Sequence, residues 1–379
     1  MDYTTKRLGF KINKAVRYVR LYGVRRTLMK IKGQYHMKKR YDSLPPLPSP
    51  PKSGGHIGII GCGNYSFSNI AFYLHRERAG ALRGAMDPDI HRAASLYENY
   101  GLRYYTDDAQ LILTDPAIDI VFVASNHASH AEYAIECIKA GKNVHIEKPH
   151  VVSEDQLSRL VAAMKAHPAV RVFLGFNRPR SVLFKKLEGL LSQQSGPLMI
   201  NWFVAGHEIP DDHWYFDEKE GGRVLGNLCH WTDLTLKLVG MGNAFPCTIV
   251  PATPAGAKSD YVVSVMFADR SCAAITFSAK GHTFEGVREV LNIHRGDLLA
   301  NLTDFESLTA EVVEERHNKK LRHRDHGHGV NIINSLNSKT GEDPAYVIAT
   351  AQLFLAIRKA IDSGQPVALT AEEAAGHFL

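Results

Sequence analysis

From His56 to Asn177, short apolar runs alternate with helix-length amphipathic stretches, and this alternation restricts the fold more than any other feature of the chain. The runs are HIGIIG (His56–Gly61), LRGAMD (Leu82–Asp87), LRYYTD, IDIVFVAS (Ile118–Ser125), NVHIEKP (Asn143–Pro149) and VRVFLGFN. Between them lie residues 64–79, DIHRAASLYENYG closed by Gly101, DDAQLILTDP stopped by Pro116, HASHAEYAIECIKAG ending at Gly141, and SEDQLSRLVAAMKAH. The last opens with Ser153-x-x-Gln156, a helix-capping signature. Strands alternating with helices of this length predict a doubly wound parallel sheet.

The pattern then changes. LMINWFVAG, CTIVPA, DYVVSVMFA, CAAITFSAKG, REVLNIHRG and LLANLTDF read as strands separated by turns. The helix GNLCHWTDLTLKLVG precedes most of them, and PAYVIATAQLFLAIRKAIDSG follows. This is the pattern of an α+β domain with a large, mostly antiparallel open sheet. We divide the chain into a basic helical arm (1–42), a Pro-rich linker (43–55), a doubly wound domain (56–178) and a C-terminal α+β domain (179–379).

Charge is split between these parts. Residues 1–52 hold fourteen Lys and Arg against Asp2 and Asp42, a balance of +12, which leaves −6 for the rest of a chain whose total is +6. The body is therefore not a nucleic-acid binder by charge. In the arm, Ile12, Val16 and Val19 fall at helical spacing among cations, with Gly23 interrupting. Three partners suit such an arm: the acidic body of a neighbouring subunit, which the charge balance favours, an anionic membrane surface reached through residues 1–41, or a polyanionic substrate. No apolar run suggests a membrane helix of about 20 residues. No secretory signal is visible. Five scattered cysteines without CxxC spacing predict neither a disulfide framework nor a zinc module, and a cytoplasmic setting.

The run Ile57–Ile60 ends in Gly61-Cys62-Gly63 and opens a helix through Asn64 and Tyr65. Gly61 permits the turn, and Gly63 lets backbone N–H groups approach a pyrophosphate at the helix N-terminus. Ser66 stands where a third glycine is usual. Asp87, closing the second strand, is placed to accept the ribose hydroxyls of NAD and to repel the 2′-phosphate of NADP. A tight turn that binds nothing has the same glycines, and Asp87-Pro88 also reads as a turn.

Glu147 and Lys148 end a parallel strand, at the sheet edge where ligands sit. A lysine beside an apolar nicotinamide face and a second positive charge has its pKa lowered and exchanges protons near neutrality. A surface Lys-Pro turn is the plainer alternative. His230 and Asp233 lie three apart on one helix, so Asp233 is placed to orient the imidazole; a buried structural histidine fits the same pattern. His213, Trp214 and Tyr215 suit either sugar stacking or domain packing. His317, His323, His326 and His328 read as a solvated basic loop, with no metal site.

GIIGCGN, VASNHASH, AIECIKAGKNVHIEKP, GFNRPRS, GGRVLGNLCHWTDL and VREVLNIHRGDLLANLTDFESL together resemble the Gfo/Idh/MocA (glucose-fructose oxidoreductase, inositol dehydrogenase) family. The resemblance covers about residues 56–365, not the arm. It implies NAD(P)-dependent redox chemistry on a sugar, nucleotide-sugar or cyclitol, with NAD preferred here. Lys148 matches the family's proton-exchanging lysine and His230 its active-site histidine. Glu147, Pro149 and His130 match residues around the nicotinamide, with Ser125 and Asn126 alongside. Asn177, Arg180, His213, Trp214, Asn227, His230 and Asp233 are the implied substrate contacts. Dimers or tetramers built through the C-terminal sheet are implied as well. One position departs: where many relatives carry an acid four residues before the histidine, this chain has Gly226. An NAD/sugar sensor without turnover and an NAD-dependent glycosidase or lyase are the alternatives.

Overall fold

The computed structural model describes residues 4–48, 53–210, 212–281, 284 and 286–376. Two arm helices, α1 (Leu8–Tyr22) and α2 (Val24–His36), come first. Then follow β1 (Ile57–Ile60), α3 (Ala71–Glu77), β2 (Leu82–Met86), α4 (Ile90–Tyr100), β3 (Tyr104–Thr106), α5 (Ala109–Thr114) and β4 (Ile120–Val123). α6 (His127–Lys139), β5 (Asn143–Ile146), α7 (Glu154–Ala166) and β6 (Val172–Leu174) complete the alternation. The six strands form one parallel sheet in the order β3-β2-β1-β4-β5-β6. β1 and β4 are buried at every position, which is why their sequences lack polar alternation. Ser153 Oγ accepts from the Gln156 amide at 3.2 Å and so caps α7, as its spacing predicts.

α8 (Val182–Leu191) leads to β7 (Met199–His207), α9 (Cys229–Val239) and the short α10 (Met241–Ala244). β8 (Cys247–Pro251), β9 (Asp260–Met266), β10 (Cys272–Gly281), β11 (Arg288–Arg295), β12 (Leu298–Thr303), β13 (Ser307–Val312) and β14 (Glu315–Lys320) follow. After α11 (His328–Asn337) and α12 (Pro344–Ser363), β15 (Val367–Leu369) ends the second sheet, ordered β14-β13-β12-β11-β7-β10-β9-β8-β15. All its pairs are antiparallel except β7–β10. One face packs on α8, α9 and α12; the other is open.

Two expectations need correction. Residues 315–320 of the basic stretch are an edge strand, paired along its length with β13. And α12 is long and apolar enough to cross a membrane, contrary to the sequence reading. It is a core helix: Val347, Phe354, Ile357 and Ile361 are fully buried between the two sheets' helices. Both α11 and α12 return to the first domain, where Ser335 Oγ bonds His145 Nδ1 at 2.8 Å and the Val347 carbonyl bonds His150 Nε2 at 3.0 Å.

The arm lies on the chain's own body. At Gly23, with φ +79°, the helix breaks and α2 folds against α1. α2 packs on the first turns after β1. Arg26 bonds the Ser68 carbonyl and, at 2.5 Å, Asn69 Oδ1, and its guanidinium sits over Phe72 and Tyr73. His36 stacks on Phe67 with ring centroids 4.2 Å apart. On the other side, the Leu21 carbonyl accepts from the Arg324 amide at 2.7 Å, beyond β14. The hairpin thus touches both domains. The linker begins by crossing α4 and β3, with Tyr97 and Tyr105 donating to the Pro46 and Pro45 carbonyls; its residues 49–52 lie outside the described residues.

Candidate active site

The glycine loop is shaped by contact. Gly61 has φ +88°, and a Cβ there would stand 2.5 Å from the Ser125 amide. A Cβ at Gly63 would meet nothing, so the backbone is open to a close ligand. The first turn after it is a π-helix, Ser66–Ile70. Ser66 explains the missing third glycine: its hydroxyl turns back to the Gly61 carbonyl. Asn64 Oδ1 is buried without a hydrogen-bond partner at this helix start. Asp87 holds the loop itself, accepting from the Cys62 amide at 2.7 Å and the Asp89 amide at 2.9 Å. Burial pushes its carboxyl above the usual range, against the pull of those two amides. Open backbone at Gly63 and a helix start fit a dinucleotide pyrophosphate, whereas Asn64 Oδ1 faces Gly33 of the arm.

Across the sheet edge, Ser125 and Asn126 begin α6. Ser125 Oγ bonds Ser129 Oγ at 2.7 Å, and Asn126 donates to Glu220 Oε1 at 2.5 Å. Glu220 Oε2 also accepts from the Ala128 amide at 3.0 Å, so a carboxylate from the second domain caps α6. His130 spans the Pro149 carbonyl (2.8 Å) and the Ser125 carbonyl (3.2 Å), tying this loop to the cis Lys148-Pro149 peptide.

Lys148 Nζ donates to the Gly226 carbonyl at 2.7 Å. Burial draws its pKa down, but Tyr215, Cys229 and Glu147 outweigh it, and the group stands above its ordinary value. The lowered pKa expected from sequence is therefore corrected: the neighbouring groups keep the amine charged. Glu147 is buried against Gly175, where a Cβ would fall 2.6 Å from Oε2. Tyr65 reaches His328 Nδ1 at 3.2 Å, its phenol pushed well up by burial and by Glu147.

Gly226 lies in a second π-helical turn, Val224–Leu228, which precedes α9. A side chain there would collide with the Tyr215 ring and come within 2.6 Å of His127 Cε1. Tyr215 OH donates to the Gly226 carbonyl at 3.4 Å, and His127 meets the rings of Tyr215 and Trp214 at 4.6 and 4.9 Å. The space of the absent acid is filled by a phenol and an imidazole.

His230 has a buried Nδ1 without a partner, and Asn227 a buried Oδ1 likewise. Burial, then Arg178 and Lys148, then His328 and His326 hold the His230 pKa well below its ordinary value, so the ring is neutral. Asp233 does not orient it. That carboxyl is fully buried on the α12 side, bonded by Tyr346 and, at 3.2 Å, by Thr350 Oγ1, with its pKa raised by burial to about 6. Its substrate assignment is withdrawn, since no surface of it faces the cleft.

Two further assignments change. Arg180 leans toward Glu342 at 3.5 Å and lines a small cavity with Lys185 and Lys237 instead of joining Lys148. Asn177 is buried and donates to the His326 carbonyl at 2.6 Å, fixing that loop. His213 caps a short turn by accepting from the Tyr215 amide at 3.3 Å, and Trp214 stays 40% exposed at the cleft mouth. His326 and His328, expected in solvent, are instead at the centre, and burial lowers both pKa values. Among the described residues no cluster has metal-binding geometry.

Sequence reading missed Arg178 and Glu289. They form a buried pair at 2.8 and 3.2 Å, with Trp231 Nε1 donating to Glu289 at 2.9 Å and His326 Nε2 2.9 Å from it. Burial would raise the Glu289 pKa, but Arg178 and His326 bring it to about 2. An arginine two residues before Arg180 in the same GFNRPRS string was the available signal.

A doubly wound sheet with an open glycine loop, a lysine at the adjoining strand end and a second-sheet domain closing over them define a nucleotide-binding oxidoreductase fold. Residues 56–176 match the family described as "Oxidoreductase family, NAD-binding Rossmann fold". That family model is the Gfo/Idh/MocA one, and the match covers the parallel-sheet domain alone. An inositol 2-dehydrogenase of Ralstonia nicotianae is 34% identical over 191 residues, 48% of this chain and 54% of that one. Oxidoreductase P35 of Formosa agariphila is 31% identical over 134 residues, 35% of this chain and 41% of that one. The chain thus spans about half or less of these relatives' length. A levoglucosan dehydrogenase solved with NADH superposes with a TM-score of 0.70 at 17% identity, covering 83% of this chain and 99% of that one. That likeness shows the fold.

Proposed function

We propose that the chain is an NAD-dependent dehydrogenase that interconverts a hydroxyl and a carbonyl on the ring of a sugar, nucleotide-sugar or cyclitol. The reading rests on one observation: Lys148 Nζ is anchored in the cleft by the Gly226 carbonyl, beside a neutral His230 whose Nδ1 has no partner. A bound nicotinamide would supply the hydride acceptor or donor. Gly63, Asn64 and the start of the π-helical turn suit the pyrophosphate, and Glu147 with Tyr65 lines the nicotinamide end. Lys148, held as an ammonium, donates a proton to the substrate oxygen as a carbonyl is reduced. In the reverse direction it must first lose that proton, so oxidation quickens as pH rises toward its elevated pKa. His230 accepts from or donates to the same oxygen and fixes the substrate's orientation. Trp214 at the mouth offers an apolar face to a ring.

The test is NAD(H) turnover on a panel of sugars, nucleotide-sugars and cyclitols. On any active substrate, Lys148→Ala should lose about 100- to 10,000-fold in kcat with NAD binding kept within a few fold. Normal turnover by that variant overturns the role of Lys148. Product formation without net NADH would replace this reading by the lyase.

A further inference from the structure

The α1–α2 hairpin has two faces of opposite character. The inner face is sealed: Leu21, Thr27, Gly33 and His36 are buried against the body. The outer face carries Leu8, Ile12 and Val16 at i, i+4 and i+8 of α1, and Val24, Leu28, Ile31 and Tyr35 at i, i+4, i+7 and i+11 of α2. At about 100° per residue, each set falls in a stripe roughly 80° wide or less. All seven side chains are 41 to 73% exposed.

Between the two helices lies a groove of about 300 Å³, lined by Ile12, Ile31 and Tyr35 together with Lys11, Lys14 and Lys30. The two apolar rows meet at this groove through Ile12 on one side and Ile31 and Tyr35 on the other. No acidic residue occurs between Asp2 and Asp42, and Lys6, Arg7, Arg20, Arg25 and Lys32 stand exposed around it. A water-facing helix surface is ordinarily polar, and a contiguous apolar patch of this kind marks an interaction site.

Charge selects the occupant. A second copy laid face to face would bring one cationic hairpin against another. Two acids of the body that meet the arm, Glu98 and Asp89, are already engaged by Lys39 and Arg40 at 2.6 and 3.1 Å. What remains is a partner both anionic and apolar. We propose that the outer face of this hairpin docks on an anionic lipid bilayer, with the seven apolar side chains at the boundary between headgroups and acyl chains and the surrounding lysines and arginines on lipid phosphates. The hairpin lies in the membrane plane and spans nothing. The glycine loop, against whose Asn64 the hairpin packs Gly33, then lies on the membrane-facing part of the molecule. The proposal does not depend on which hydroxyl the enzyme oxidises.

The experiment is sedimentation of the full-length protein with sucrose-loaded vesicles of phosphatidylcholine, with and without phosphatidylglycerol. Pelleting with the anionic vesicles at low salt, its loss at high salt and its absence with phosphatidylcholine alone are expected. Leu28→Asp combined with Ile31→Asp should weaken pelleting about tenfold or more. Arg25→Glu with Lys32→Glu should weaken it as well. Both pairs are exposed, so unchanged thermal melting and NAD binding verify the fold. No pelleting of the wild type with anionic vesicles overturns the proposal. So does undiminished pelleting of the Leu28→Asp/Ile31→Asp protein. A dimer that this variant dissolves, with no pelleting by either protein, assigns the face to a second copy instead.

Discussion

Gly226 shows how one missing side chain is explained by its neighbours. The position has room for no acid, because Tyr215 and His127 already stand there. Gly226→Asp should therefore not restore a family-like contact. Overpacking of this kind costs about 1–3 kcal/mol, and shifting the residue-226 carbonyl also loosens Lys148. A lower melting temperature with reduced turnover is expected, and adding Tyr215→Ala should recover part of the stability. A fully stable, more active single variant would refute the account. Asp87 is the second telling residue. A carboxylate at this loop disfavours a 2′-phosphate, so NAD should bind more tightly than NADP by titration. Asp87→Ser should narrow that gap, and it should also weaken NAD itself, since the Cys62 amide loses its acceptor. Equal affinities in the wild type would remove Asp87 from cofactor choice.

At the scale of elements, α2 is pinned by one histidine. His36 Nε2 meets the Cys62 carbonyl at 2.7 Å and Nδ1 meets Ser95 Oγ at 2.9 Å. Burial lowers its pKa to about 4, helped by Arg92 and Lys39 and opposed by the Cys62 carbonyl and Asp89. Its folded pKa is depressed below the ordinary 6.5, so the undocked arm binds the proton more readily than the docked one. Docking stability is therefore complete above about pH 6.5 and falls as pH drops toward 4, by up to about 3 kcal/mol. Tryptic cleavage at Arg25 and Lys32, or amide exchange in α2, should rise across that window, and His36→Gln should flatten the rise. A flat wild-type profile would show that His36 does not hold the helix. The same scale shows what a sequence makes legible. The six parallel strands were readable because burial on both faces leaves apolar runs of a few residues, as in IVFV (Ile120–Val123). The glycine loop and Lys148 were readable because each sits at the end of such a run. Asp233 was misplaced because a three-residue spacing does not say which neighbour a fully packed helix offers each side, and α12 arrives more than a hundred residues later. His326 and His328 were misread for the same reason: a polar, basic string looks solvated until Asn177, Tyr65 and Glu289 close around it.

For the molecule as a whole, the open face of the nine-stranded sheet is a broad surface that the proposed chemistry does not use. Register aligns Leu299, His294, Met199, Cys272 and Met266 in one row across β12, β11, β7, β10 and β9. Val290, Phe203, Thr276 and Val262 form another. Met199, Phe203, Val262, Met266 and Leu299 are 37 to 59% exposed. Apolar rows on a broad sheet favour pairing with a second copy. Light scattering should return a mass above one chain, and Met199→Glu with Met266→Glu should return a monomer. A wild-type monomer would leave this face to another partner.

The hydrogen bond between Leu21 and Arg324 joins residues three hundred positions apart. Contacts of such sequence separation form late, because the loop they close is long. On the ribosome, the arm emerges well before its seat beyond β14 exists. The α2 helix finds its seat on the parallel-sheet domain early, through Cys62, Ser68 and Ser95, while the end of α1 waits for Arg324. Seating of the α1 end becomes a late event of folding, and until then a chaperone or a lipid surface can meet that helix first.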